Sequence, residues 1–444
     1  MDRWPSHAVA SSCATPPSPS KRPTKPSDEE MFLPPLLLGE GQGEGAAASQ
    51  RYLANPERPE RRELMRFGLF YEIQVPRPVS PVPEAERLRE VVEQVRYAEE
   101  MGFDRVWFVE HHFLTEWAHC SAPEVMLAVV SQHTSTMRLG FGVVLLPVHH
   151  PLHVAAKVAT LDVMSGGRVD VGVGRSGNPY QLTPFGVKLD ETRDRWEEAL
   201  SILPRMWTEQ VFAYEGKYYQ IPPREVIPKP LQQPHPPLFS ACSQDDTFQR
   251  AGELGIGCLC NVLGSYETVE KRLQIYKDAL AKARPVGKFI NNQVVVSSIG
   301  FCDENKQHAL ERGAEIAAWN VNIRLKNYER GWQGVDLTSV PQDYKYHVRR
   351  FEWDPQMRKG VTPEEVLKTA RFCVGTPDDC IATIERYEAM GATEIMPIFQ
   401  AGPATHAEVM NSLRLFGKYV IPHFRAKERG ASAPASAVSG TSAR

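Results

Sequence analysis

The sequence predicts an α/β fold, a (β/α)8 TIM barrel with insertions, and three observations carry that reading. From Met65 onward, short apolar runs rich in β-branched and aromatic residues alternate with amphipathic helical stretches through eight repeats, which favours a closed barrel over an open doubly wound sheet. Four of the runs pass directly into polar residues, at the carboxyl ends of strands where such barrels keep their chemistry. A chain of 444 residues also suits one barrel with additions.

Residues 1–64 are rich in Pro, Ser, Ala and Gly and have no sustained periodicity, so they are expected to be a disordered extension that buries too little to offset its ordering entropy. Met65 directly precedes the first strand, Arg66 to Tyr71, and a translation start there is one reading of the extension. Glu84 to Met101 is helical, with Leu88, Val91, Val92, Val95 and Ala98 on one face, and Gly102 stops it. Val106 to Val109 forms the second strand and runs into Glu110, His111 and His112. Ala122 to Thr134 is the next helix and Arg138 to Pro147 the third strand. His153 to Met164 is helical, and Arg168 to Arg175 alternates valines with small or polar residues as the fourth strand.

Thr192 to Trp207 is a helix with Pro204 near its end, followed by a hairpin about Glu215 and Gly216. Strands over Pro237–Ala241 and Ile256–Val262 flank the helix Asp245 to Leu254, and the helix Ser265 to Ala283 comes next. Gln293 to Phe301 is the seventh strand and Ala309 to Asn320 a helix. Lys326 to Gly360 reads as a polar, aromatic, irregular insertion that covers the site, too long for an ordinary loop. Thr376-Pro377-Asp378-Asp379 supplies an N-cap, a first-turn proline and two carboxylates for a helix ending at Gly391. Glu394 to Phe399 is the eighth strand, and His406 to Val420 closes the barrel domain, 65–424, before a flexible tail over 425–444.

Composition narrows the partners. With 51 basic and 54 acidic side chains and a net charge of −3, there is no basic field for nucleic acid or an anionic membrane. No apolar run approaches the roughly 18 residues of a membrane span, and no signal-peptide pattern leads the chain. A cytoplasmic protein with a small organic partner is expected. The scattered cysteines contain no CxxC pair, so reduced thiols are the default.

The strand ends assemble the candidate site. Histidines such as His111 supply proton transfer near neutral pH. Arg175 and Ser176 after the fourth strand, Arg193 near the start of the helix Thr192 to Trp207 that comes next, and Ser243 after the fifth strand make a cradle for phosphate, which guanidinium recognises through paired donors. Each has a plainer alternative: Arg175 as a barrel salt bridge, His149 and His150 as residues that shape the loop before Pro151, Gly142 as a bulge or packing position. No metal site is expected from Glu110, His111 and His112, because neighbouring strand residues point to opposite faces.

Residues 65–424 resemble the bacterial luciferase-like family of flavin-dependent monooxygenases. The resemblance rests on Met65-Arg66-Phe67-Gly68-Leu69-Phe70, Val109-Glu110-His111-His112-Phe113, Leu145-Leu146-Pro147 with His150-Pro151, Asp162 to Arg168, Phe185-Gly186 with Arg193, and Gly375-Thr376-Pro377. It implies that Arg175 and Arg193 hold the phosphate of FMN, assisted by Ser243 and the backbone near Cys242. His111 would be the active-site histidine with Glu110 beside it, and Gly142–Val143 would be a cis peptide beneath the flavin ring. It further implies reduced FMN delivered by a separate flavin reductase, dioxygen added at the flavin C4a position, and a homodimer. Two other readings stay open within the fold: hydride transfer with a deazaflavin cofactor, and a flavin-binding barrel without turnover. Gly174 stands where the luciferase α subunit has a reactive cysteine and Cys242 where it has a glutamate, so light emission is not implied.

Overall fold

A computed structural model of the chain describes residues 65–77, 81–261, 265–336, 338–345, 360–368 and 372–431. The extension 1–64, the end of the chain after 431, and Tyr346 and Trp353 of the expected insertion lie outside the described residues.

The strands are β1 (Arg66–Tyr71), β2 (Arg105–Phe108), β3 (Arg138–Leu145), β4 (Val169–Gly174), β5 (Phe212–Glu215), β6 (Gln220–Arg224), β7 (Leu238–Cys242), β8 (Gly257–Asn261), β9 (Val294–Cys302), β10 (Cys373–Gly375) and β11 (Glu394–Ile398). Eight of them close a parallel barrel in the order β1-β2-β3-β4-β7-β8-β9-β11, with β11 pairing back to β1. β5 and β6 form the expected hairpin outside it. β10 was not expected; it extends the far end of the nine-residue β9 through Gly300 to Cys302.

Around the barrel lie α1 (Pro81–Glu100), α2 (Pro123–Ser131), α3 (Pro151–Met164), α4 (Thr192–Thr208), α5 (Asp245–Glu253), α6 (Tyr266–Leu280), α7 (Lys306–Trp332), α8 (Pro377–Met390), α9 (His406–Leu415) and α10 (Ile421–Ala431). The start of α8 forms as its sequence dictates: Thr376 Oγ1 accepts from Asp379 N–H, and the Asp379 carboxylate accepts in return from Thr376 N–H. Two helices run further than the sequence suggested. α7 continues through the polar stretch after Asn320 because Ile323 and Asn327 still turn inward, so the irregular segment begins only after Trp332. α10 carries helix to Ala431, into the stretch expected to be a tail, and Arg425 on it grips Asp104 at 2.7 Å and the Met65 carbonyl at 2.9 Å. None of the described helices is long and apolar enough to cross a membrane.

Two cores result. The large one lies between barrel and helices; the small one fills the barrel with Trp107, Phe239, Leu259, Val295 and Met396. Trp107 explains Gly140 on the adjacent strand, where any Cβ would overlap the indole. Beneath this plug the first residues of several strands form a buried ionic web. Arg105 meets Glu394 at 2.6 Å and Asp170 at 2.9 Å, Arg138 meets Asp170 at 2.6 Å, and Trp107 Nε1 donates to Glu394 at 2.8 Å. The opposite, carboxyl end of the barrel carries a different set of groups.

Candidate active site

At that end the interior is not filled. Ala241 is exposed in a strand whose other residues are buried, and Phe70, Gly142 and Val143 are only half-buried, which leaves an apolar floor at the barrel mouth. Gly174 lets β4 pack closely on this floor, since a Cβ there would come within 2.6 Å of Val143 Cγ2. The Gly142–Val143 peptide is cis, and the pairing of β3 with β4 shifts register between Phe141 and Val144, so both the irregularity and the cis bond fall on the expected residues.

His111 stands on one side. Its ring packs against Trp117 at 5.1 Å, and Trp117 Nε1 is buried with no hydrogen-bond partner among the described residues. His111 Nδ1 lies 3.1 Å from Gln181 Oε1, which also accepts from the His112 main-chain N–H at 2.9 Å, while Gln181 Nε2 donates to Ser176 Oγ at 3.1 Å. That arrangement identifies the oxygen of the amide, so Nδ1 of His111 carries the proton and Nε2 is left without a protein partner among the described residues. Burial lowers the His111 pKa from the usual histidine value, opposed by the nearby Glu72 charge and the Gln181 contact. The neutral ring therefore presents a lone pair at Nε2.

Glu110, expected beside His111 in the catalytic set, is held by a ring of donors. It is 3 % exposed and accepts from His112 Nε2 and His149 Nε2, each at 2.8 Å, and from the Leu145 N–H at 2.9 Å. Burial pushes its carboxyl up, but these donors outweigh it and hold the pKa at about 2. A carboxylate held ionised by these donors ties two barrel loops together. His149 and His150 shape their loop, His150 by accepting from Leu152 N–H at the start of α3.

The other side of the mouth is cationic. Arg175 NH1 and Arg193 Nε reach the same oxygen, Asp343 Oδ2, at 2.6 and 3.1 Å, and Arg193 NH2 also meets Asp246 at 2.9 Å. Their meeting brings together residues from β4, α4 and the segment after α7. Ser243 keeps its hydroxyl free of protein partners among the described residues, but its N–H donates to Thr247 Oγ1 at 3.1 Å. Ser176, with φ +67°, spends its hydroxyl on Asn178 and Gln181 and braces the loop. Cys242 is buried, its thiol 3.4 Å from the Ser240 carbonyl, so only its backbone borders the site.

Sequence reasoning missed three residues here. Glu72 is 2 % exposed, receives Gln74 Nε2 at 2.6 Å and directly follows β1, so the same strand-end rule would have found it. Gln181 lies in the single helical turn Pro179–Leu182, and Asp343 in an irregular segment; neither position carries a local signal.

The family profile described as luciferase-like monooxygenase matches residues 65–394. An uncharacterized Sinorhizobium fredii protein, y4vJ, is 32% identical over 54% of this chain and 66% of its own length. The oxygenase component of the flavin-dependent trigonelline monooxygenase of Acinetobacter baylyi is 26% identical over 74% of this chain and 88% of its own. Among solved structures, the monooxygenase RslO1 of Streptomyces bottropensis superposes with a TM-score of 0.64 at 27% identity, covering 81% of this chain and 100% of that one.

Proposed function

We propose, from the premise that this chain belongs to the luciferase-like monooxygenase family, that it binds reduced FMN from a separate flavin reductase and uses dioxygen to oxidise a small organic substrate. The observation that carries the reading is the convergence of Arg175 and Arg193 on one oxygen at the edge of an apolar barrel mouth, with the open Nε2 of His111 on another side. The residues present fit a planar aromatic ring bearing a phosphate: an apolar floor, two guanidiniums and the Ser243 hydroxyl beside them. The name of the trigonelline relative, an oxygenase component, supports a partner reductase.

In this reading Arg175 and Arg193 hold the phosphate. Val143 and Ala241 exclude water beneath the ring. Bound there in reduced form, the flavin supplies the electrons for oxygen activation. His111 accepts or returns a proton at Nε2, held in one tautomer by Gln181, and Glu110 fixes the loop that carries it. Anaerobic titration of the protein with reduced FMN, reduced riboflavin and a reduced deazaflavin, followed by admission of air, tests the proposal. FMN should bind most tightly, and oxygen consumption should yield oxygenated product once substrate is present. Preferential binding of the deazaflavin, with substrate oxidised without oxygen uptake, would overturn it in favour of hydride transfer.

A further inference from the structure

The cationic side of the mouth has no idle charge among the described residues. Arg175 meets Asp343, Arg193 meets Asp343 and Asp246, and Arg272 meets Asp245 at 3.1 Å across the same opening. The first main-chain donors ahead of α5 are also taken, since Ser243 and Gln244 both donate to Thr247 Oγ1, at 3.1 and 3.0 Å. A phosphate monoester entering this cradle brings a charge of about −1.5 to −2 at neutral pH. With Asp343 in place, that phosphate and a carboxylate would crowd the same two guanidiniums.

We infer that Asp343 is an internal counter-anion that competes with the phosphate of the flavin for Arg175 and Arg193, and so sets how tightly the protein holds a phosphorylated ligand. The inference rests on the phosphate cradle proposed above. One carboxylate oxygen spans both guanidiniums, which is the bridging role a phosphate oxygen would take. Asp343 can leave without its backbone moving. Its neighbour Tyr344 is 2 % exposed and anchors the chain, donating toward the Ser176 carbonyl and Thr192 Oγ1 at 3.0 and 2.9 Å, with Trp332 and Val340 packed beside it. The Asp343 side chain is itself 19% exposed and borders a cavity of about 700 Å³ with Gln342 and Gln244, so rotation returns the carboxylate to water. Holding the two arginines with a removable carboxylate keeps their side chains ordered before the ligand arrives, at the expense of affinity. That balance suits a flavin received and released in each cycle better than one held permanently.

The test compares the Kd of oxidised FMN, riboflavin and inorganic phosphate for the full chain, Asp343→Asn, Asp343→Ala and Arg175→Ala, by fluorescence titration or calorimetry. Asp343→Asn keeps the shape and removes the charge. It should tighten FMN about tenfold and tighten phosphate in parallel, leaving riboflavin within about twofold. Asp343→Ala should behave alike, and melting curves of both variants establish that they are folded. FMN affinity unchanged or weakened in both Asp343 variants, while Arg175→Ala still loses FMN selectively, overturns the inference and leaves the cradle standing. FMN and riboflavin binding equally to every variant overturns the cradle itself, and the inference with it.

Discussion

Both ends of the barrel bury carboxylates, and the partners chosen for them differ. At the amino end, Glu394 and Asp170 are met by Arg105 and Arg138, whose charge is permanent. At the carboxyl end, Glu110 is met by His112, His149 and a main-chain N–H. The pKa directions diverge as well: burial raises Glu394 in spite of Arg105, whereas the donors around Glu110 overcome burial and hold it at about 2. The lower web is closed on itself and serves to join the strand starts. The upper set works differently: Glu110 secures the loops, His111 Nε2 has no protein partner among the described residues, and the arginine pair is bridged by Asp343. Buried carboxylates thus join the strand starts at one end and tie loops together at the other.

Removing Arg105 should produce the largest effect and break the comparison at its lower half. Arg105→Ala leaves two carboxylates buried without their shared partner, a loss of about 3–5 kcal/mol in urea unfolding, with FMN affinity of the folded fraction unaltered. A loss below about 1 kcal/mol would mean that the lower web is not what joins the strands. Glu110→Gln should cost nearly as much, and its dependence on pH separates the two ends. The folded pKa of about 2 lies below the ordinary 4.5, so the stabilisation, about 3 kcal/mol, is complete above pH 4.5 and disappears as pH falls towards 2. The variant should unfold with a flatter acid limb than the parent, and parallel acid limbs would refute the assignment.

A smaller effect is expected from Arg175→Ala, which touches only the upper half. FMN should weaken roughly ten- to a hundredfold, from the loss of about 1.5–3 kcal/mol, and riboflavin should scarcely change. Equal weakening of both would place Arg175 away from the phosphate. Least visible in stability or binding is His111→Ala. Reduced-flavin affinity should stay within about twofold, while product formed per dioxygen consumed falls and hydrogen peroxide release rises. If coupling is retained, His111 is structural only, packed on Trp117 and bonded to Gln181.

Much of this molecule is legible along the chain. The eight strands follow from runs such as Val106 to Val109, the cap of α8 from Thr376 to Asp379, and Arg175, Arg193 and His111 from their places at strand and helix ends. These are features in which a residue interacts with its near neighbours or with the periodic face of its own element, and adjacent letters suffice to show them. The boundaries that misled, the end of α7 and the tail, depend on contacts such as Arg425 with Asp104. Tertiary structure alone decided who meets whom. It turned Glu110 into a clamp, brought Gln181 across 70 positions to choose the His111 tautomer, and brought Asp343 across 168 to the arginine it neutralises. Hydrogen bonds and ion pairs act within a few ångströms, and which distant polar groups come that close is settled only when the barrel closes.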